Sequence, residues 1–277
     1  MKRILVTTDL SQNAKAALRF ALQLAGQYQL TLLHIFSCPK PTSWNESLYK
    51  DFEAREHGKK QQDLTQYLDA VVGEMEVFQG NSVECVVLKG EVPDEAIMSY
   101  ATEQHFDYIC ASRSGEGRAL NLFGSTASSL VKSSLVPVIT VPEHYQATPI
   151  DNITYVSDLE NLEAELEKVV DFASPLSVPV KLLHFQTPQE RLNDNEIFYA
   201  VQHRLTSHGI DTQLEPLRYE DTFIKNMDEV FQTDKPSLVV MFTRPRKGLF
   251  EKLFLSSISA EYVSVSKVPL LIFRKEI

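Results

Sequence analysis

Short apolar runs alternate along this chain with longer stretches in which apolar residues recur at helical spacing. Ile4-Leu5-Val6 predicts a strand that stops at Thr7-Thr8-Asp9. Ser11 is then placed to cap a helix whose residues Ala14, Ala17, Leu18, Ala21 and Ala25 share one face. Leu30 to Phe36 predicts a second strand. Beyond Pro39 and Pro41, a long charged segment carries Leu48, Phe52, Leu64, Leu68 and Val71 at helical spacing, with Gly58 as its weak point. Val83 to Leu88 predicts a third strand, and Asp94 a cap for a helix through Ala96, Ile97 and Tyr100. Tyr108-Ile109-Cys110 and Val136 to Val141 are the fourth and fifth strands. Strand–helix alternation with short connections implies a parallel sheet covered on both faces.

The pattern then repeats. Ile153-Thr154-Tyr155-Val156-Ser157-Asp158 answers Ile4 to Asp9, Lys181 to Phe185 answers Leu32 to Ile35, and Val268-Pro269-Leu270 answers Val136-Pro137-Val138. Asp9 and Asp158 are 149 positions apart and His34 and His184 are 150 apart, but Pro137 and Pro269 only 132. The later part of the second copy is therefore shorter. Two domains are expected, 1–145 and 151–277, joined through the polar stretch from Glu143 to Asp151 that contains Pro149.

Composition agrees with two globular domains. The 277 residues suffice for two cores, and 43% hydrophobic with 23% charged residues is the balance of a soluble globular chain. A net charge of -10 argues against general nucleic-acid binding, so no nucleic-acid partner is expected. No apolar run approaches membrane-spanning length, so no membrane partner is expected either. Met1-Lys2-Arg3 runs straight into a strand, and Cys38, Cys85 and Cys110 lie in or beside apolar runs. Reduced core thiols in a cytoplasmic protein are the expectation. Without secretion, the glycosylation patterns at Asn45 and Asn152 carry no meaning.

Candidate chemistry concentrates between Ala111 and Pro142. A strand ends there in a loop of small residues, and Gly124-Ser125-Thr126 opens a short helix. Small residues, unpaired amides and a helix N-terminus together suit an anion such as phosphate. The plainer reading is a tight strand-to-helix turn that binds nothing. Asp9 has two readings as well, accepting hydrogen bonds from a ligand or capping the next helix. His34 and His184 sit inside apolar strands and read as buried, hydrogen-bonded structural residues. His203 and His208, five apart, do not share a helical face and make a poor metal pair. No phosphate loop with lysine, nucleophile elbow, Cys-x-x-Cys or His-Glu-x-x-His motif is present, so no enzyme is expected.

Strand-Thr8-Asp9, then Leu32-Leu33-His34, then Gly90-Glu91-Val92-Pro93, then strand–loop–Gly124-Ser125–helix–Val136-Pro137-Val138 resemble the universal stress proteins. The likeness covers nearly the whole chain and is that of a tandem, bacterial member. It implies an α/β fold of two tandem, doubly wound, five-stranded parallel sheets, Rossmann-like and similar to adenine nucleotide hydrolases. It also implies ATP or a related adenine nucleotide as ligand. Carried over by position, the nucleoside end falls on Thr8, Asp9 and Ile35. The phosphate end falls on Ala111, Ser112, Arg113, Ser114, Gly124, Ser125 and Thr126.

The family's phosphate signature is Gly-x-x-Gly, nine residues, then Gly-Ser or Gly-Thr. Here Ala111 and Ser114 stand at the first two glycines, while Gly124-Ser125 and the spacing of nine are kept. Ala111 adds a methyl group, and Ser114 a hydroxyl able to donate to phosphate. In the second copy Thr243 and Arg246 are expected at the glycine positions, Pro245 lacks an amide hydrogen, and Tyr219-Glu220-Asp221-Thr222 replaces Gly-x-x-Pro. A nucleotide is thus expected in the first domain only. The family habit of pairing through the last strand implies a pseudo-dimer within the chain, or a homodimer, hiding exposed edges. Two functions compete: a nucleotide-responsive stress protein with protein partners, and an interaction scaffold whose pockets are repurposed.

Overall fold

A computed structural model of the chain describes residues 1–75, 82–113, 125–192, 202, 205, 209–243 and 267–275. The chain divides into two compact units, Met1–Ala147 and Thr148–Ile277.

The first unit runs β1 (Arg3–Thr8), α1 (Lys15–Leu22), β2 (Gln29–Phe36), α2 (Glu46–Gly73), β3 (Glu84–Lys89), α3 (Pro93–Glu103), β4 (Tyr108–Arg113), α4 (Ser125–Ser133) and β5 (Val138–Pro142). Its strands stand in the order β3-β2-β1-β4-β5, and every ladder is parallel. Strand order reverses between β1 and β4, which places the mouth of a doubly wound sheet at their carboxyl ends. Leu5, Leu33, Ile109, Ala111 and Val138 form one core with Ile97 and Ala101 of α3 and Ala127 and Leu130 of α4. Side chains alternate along a strand, so Ile4 and Val6 point to the opposite face.

Local chemistry explains where the helices begin. Asn45 caps α2, its side chain accepting the Leu48 amide at 2.8 Å, and the helix continues through Gly58. Pro93 occupies the first turn of α3, where its missing N–H costs nothing. Asp94 therefore lies inside that turn rather than at the cap. Ser11 likewise stands before the turn that leads into α1: its Oγ accepts the Ala14 amide at 3.2 Å, and regular helix starts only at Lys15.

The second unit runs β6 (Ile153–Val156), α5 (Leu162–Ala173), β7 (Val180–Gln186), α6 (Pro188–Leu192), β8 (Asp211–Pro216), α7 (Phe223–Asp234), β9 (Leu238–Thr243) and β10 (Leu270–Arg274). Its order, β10-β9-β6-β7-β8, has the same topology. The ladders correct one expected equivalence. Ala111 pairs with Thr140 in the first unit, and Met241 pairs with Ile272 at the matching place in the second. Met241, not Thr243, is thus the counterpart of Ala111, because the last connection of the second unit is two residues longer than the spacing from Val-Pro assumed.

Candidate functional site

The sequence from Thr7 to Ala14 builds one wall of a cleft at the carboxyl ends of β1 and β4. The Thr8 hydroxyl accepts the Leu10 amide at 2.9 Å, and Asp9 Oδ1 accepts the Ser11 amide at 2.9 Å. These two side-chain turns hold Leu10 at a φ of +67°, a left-handed conformation that a leucine adopts only under constraint. His34, 7% exposed, places Nδ1 3.0 Å from the Thr8 carbonyl oxygen. Tyr67 donates its hydroxyl to the Ser11 carbonyl at 3.2 Å. Burial pushes that phenol up to about 12, so it remains a neutral donor. The turn is fixed from beneath and from the side, and Asp9 is left exposed above it.

The cleft holds about 550 Å³. Leu33, Ile35, Ile97, Ala111 and Ala127 supply its apolar floor. Thr8, Asp9, Ser11, Asn13, Ser112 and Thr126 supply polar groups around it. Thr126 and Ala127 belong to the first turn of α4, whose leading amides have no partner within the helix. Their N–H groups and the helix dipole favour an anion at that end. Gly90 makes the wall possible near Ile35: a Cβ there would lie 3.0 Å from Ile35 Cγ2 and 2.9 Å from Ala96 Cβ.

Of the residues proposed from sequence, Thr8, Asp9, Ile35, Ala111, Ser112 and Thr126 meet in this one cleft. Ser112 has a further task, its Oγ accepting the Ala17 amide of α1 at 2.9 Å. Arg113 is 3% exposed and stands outside the cleft wall, and its carbonyl accepts the Glu143 amide at 3.0 Å. Ser125 opens α4. Ser114 and Gly124 lie outside the described residues, as do Arg244 to Lys247, Ser256, Ser257, His203 and His208. Sequence reasoning missed Asn13, Pro93, Ile97 and the wall-forming role of Ser11. The Gly90-Glu91-Val92-Pro93 run was the signal for two of these, since it sets where α3 starts.

The second unit repeats the turn. Leu159, at a φ of +62°, donates its amide to Ser157 Oγ at 3.0 Å, and Asp158 Oδ1 accepts the Glu160 amide at 3.0 Å. His184 is 5% exposed and sets Nδ1 2.9 Å from the Ser157 carbonyl oxygen. Both histidines are structural, as their apolar strands implied. Cys38 and Cys110 are buried and Cys85 is half-buried, all three as free thiols. Burial pushes the Cys110 thiol upward, so it is no nucleophile. Among the described residues no group of histidine, cysteine and acidic side chains could hold a metal, and no helix is long and apolar enough to cross a membrane.

The first unit is a doubly wound α/β fold with an open cleft at its switch point, and the chain carries two units of that topology. The sequence profile of the universal stress protein family matches residues 1–142, and the chain belongs to that family. Its fold is similar to that of a universal stress protein from Archaeoglobus fulgidus, at 17% identity and a TM-score of 0.72 over 99% of this chain and 98% of that one. A functionally unknown protein from Pseudomonas aeruginosa is similar at 15% identity and a TM-score of 0.58, over 99% and 92%. At these identities the likeness is one of fold. Among curated proteins none matches the chain.

Proposed function

We propose that the first unit binds an adenine nucleotide, ATP or a relative of it, and that the protein acts in stress response as a nucleotide-responsive binding protein rather than an enzyme. The observation that carries this reading is the pairing, in one cleft, of an exposed Asp9 with the first turn of α4. The carboxylate suits ribose hydroxyls or an adenine amino group, and the helix terminus suits phosphate. The cleft volume of about 550 Å³ lies within the usual range for small-molecule sites.

One observation favours the second reading, an interaction scaffold with protein partners and no nucleotide. Among the described residues the cleft wall carries no lysine or arginine, so what those residues offer a triphosphate is amides and hydroxyls. Titration calorimetry with ATP, ADP and AMP separates the two. The nucleotide reading expects one site per chain, with Asp9→Asn weakening it by roughly tenfold or more, the worth of a hydrogen bond to a charged group. Asn retains an acceptor for the Ser11 amide, so the turn survives the change. No binding by any of the three nucleotides would leave the scaffold reading in its place.

A further inference from the structure

The carboxylate that corresponds to Asp9 in the second unit is not open. Lys275, just beyond β10, places Nζ 2.7 Å from each oxygen of Asp158 and 2.9 Å from Glu165 Oε1. The last contact is ionic rather than an aligned hydrogen bond. The Lys275 side chain is 4% exposed, Asp158 12% and Glu165 5%. Tyr155 donates its hydroxyl to Glu165 Oε2, and Ser157 donates to the Tyr155 oxygen at 2.9 Å. The Lys275 amide is tied down separately, by a 2.7 Å hydrogen bond to the Thr243 carbonyl.

The matching positions of the first unit are Val6, Ala16 and Glu143. Glu143 there takes a hydrogen bond from Asn13 Nδ2 at 2.8 Å, and Asp9 stays exposed. Tyr155, Glu165 and Lys275 thus differ together from their counterparts, and they converge on one ammonium. A buried charge cluster of this kind is a poor source of stability, since desolvation offsets much of the attraction. Burial pushes the Glu165 carboxyl up, while the Tyr155 hydroxyl and the Lys275 ammonium pull it down. What the cluster does supply is recognition: three carboxylate oxygens around a single cation, in a site nearly closed to water.

We propose that Asp158 and Glu165, with Tyr155 orienting Glu165, form a primary-ammonium site that the chain fills with its own Lys275. The second unit is then self-liganded where the first is open. An ammonium already bound to Asp158 excludes a ribose or adenine amino group from that carboxylate, independently of whether the first unit takes a nucleotide.

Lys275→Ala removes three methylenes and the ammonium, which n-propylammonium would replace. Thermal melting of Lys275→Ala should show a lowered Tm that rises saturably by roughly 2–4 °C with propylammonium chloride. Tetramethylammonium at equal ionic strength should not restore it, nor should propylammonium raise the Tm of wild type or of Lys275→Met, where the space is filled. No rise in Lys275→Ala, or the same rise in all three proteins, overturns the proposal. Should Lys275→Ala fail to fold, wild-type protein decides by reductive methylation read by peptide mass spectrometry. Lys275 should stay unlabelled over the time in which Lys225, whose side chain is 59% exposed, is fully modified. Equal labelling of the two overturns the site.

Discussion

His34 Nδ1 lies 3.0 Å from the carbonyl oxygen of Thr8, the residue immediately before the cleft carboxylate Asp9. Only a donor satisfies a carbonyl, so the imidazole is held with its proton on Nδ1. The histidine supports the strained turn at Leu10 from the neighbouring strand rather than taking part in binding. His34→Leu keeps the bulk and removes the donor. It should cost about 1–3 kcal/mol, the penalty for a buried carbonyl left without that partner. Urea unfolding measures this, and a loss of only a few tenths would show that the bond is dispensable.

The cleft depends on Gly90 through close packing. A methyl group there would press on Ile35 Cγ2 and Ala96 Cβ, at 3.0 and 2.9 Å. Gly90→Ala should destabilise the first unit by about 1–3 kcal/mol, as overpacking does, and should weaken any ligand that rests on Ile35. Unchanged stability with unchanged binding would mean that β3 and α3 separate freely.

Gly58 offers the opposite case. It lies exposed within α2, and a Cβ there would meet nothing within 4 Å. Gly58→Ala should stabilise by roughly 0.5–1 kcal/mol, through helix propensity and a less flexible unfolded chain. The denaturation midpoint should rise with an unchanged slope, and a fall would indicate that the helix needs its glycine for another reason.

Glu74 links the end of α2 to α1 through Lys15 at 2.6 Å and Arg19 at 2.5 Å. Hydrogen bonds from these two cations hold its carboxyl below the ordinary glutamate value. A depressed carboxyl stabilises the fold above its unfolded pKa, and that contribution is lost as pH falls through the folded one. Glu74→Gln should therefore lower stability at neutral pH, and its difference from wild type should close in acid. Glu74 is 42% exposed, so added salt should shrink the effect. A difference that widens on acidification would reverse the assignment.

The two-copy organisation, the parallel α/β architecture and much of the cleft were legible in the sequence because they rest on local pattern. Apolar runs placed the strands, and the repeated Thr8-Asp9 and Ser157-Asp158 placed the turns that end β1 and β6. Helix starts were less legible. Ser11 and Asp94 both have the chemistry of caps, yet α1 begins at Lys15 and α3 at Pro93. The first turn of α1 also takes a partner that no local pattern announces, the Ser112 hydroxyl accepting the Ala17 amide from 95 positions away.

Three decisions belong to tertiary structure alone. Sequence put Ser112 with the phosphate end, but folding also sets its Oγ on an amide of α1. Arg113 carries a charge suited to phosphate and shares the face of Ala111 two residues before it, but the fold leaves it 3% exposed and off the cleft wall. Asp9 and Asp158 are equivalent by repeat, and only the fold makes one exposed and the other a partner of Lys275, 117 positions further on. Periodicity and spacing report which face a residue occupies within its own element. Which cation reaches which carboxylate depends on how strands distant in the chain are laid side by side, and that is settled only when the sheet forms.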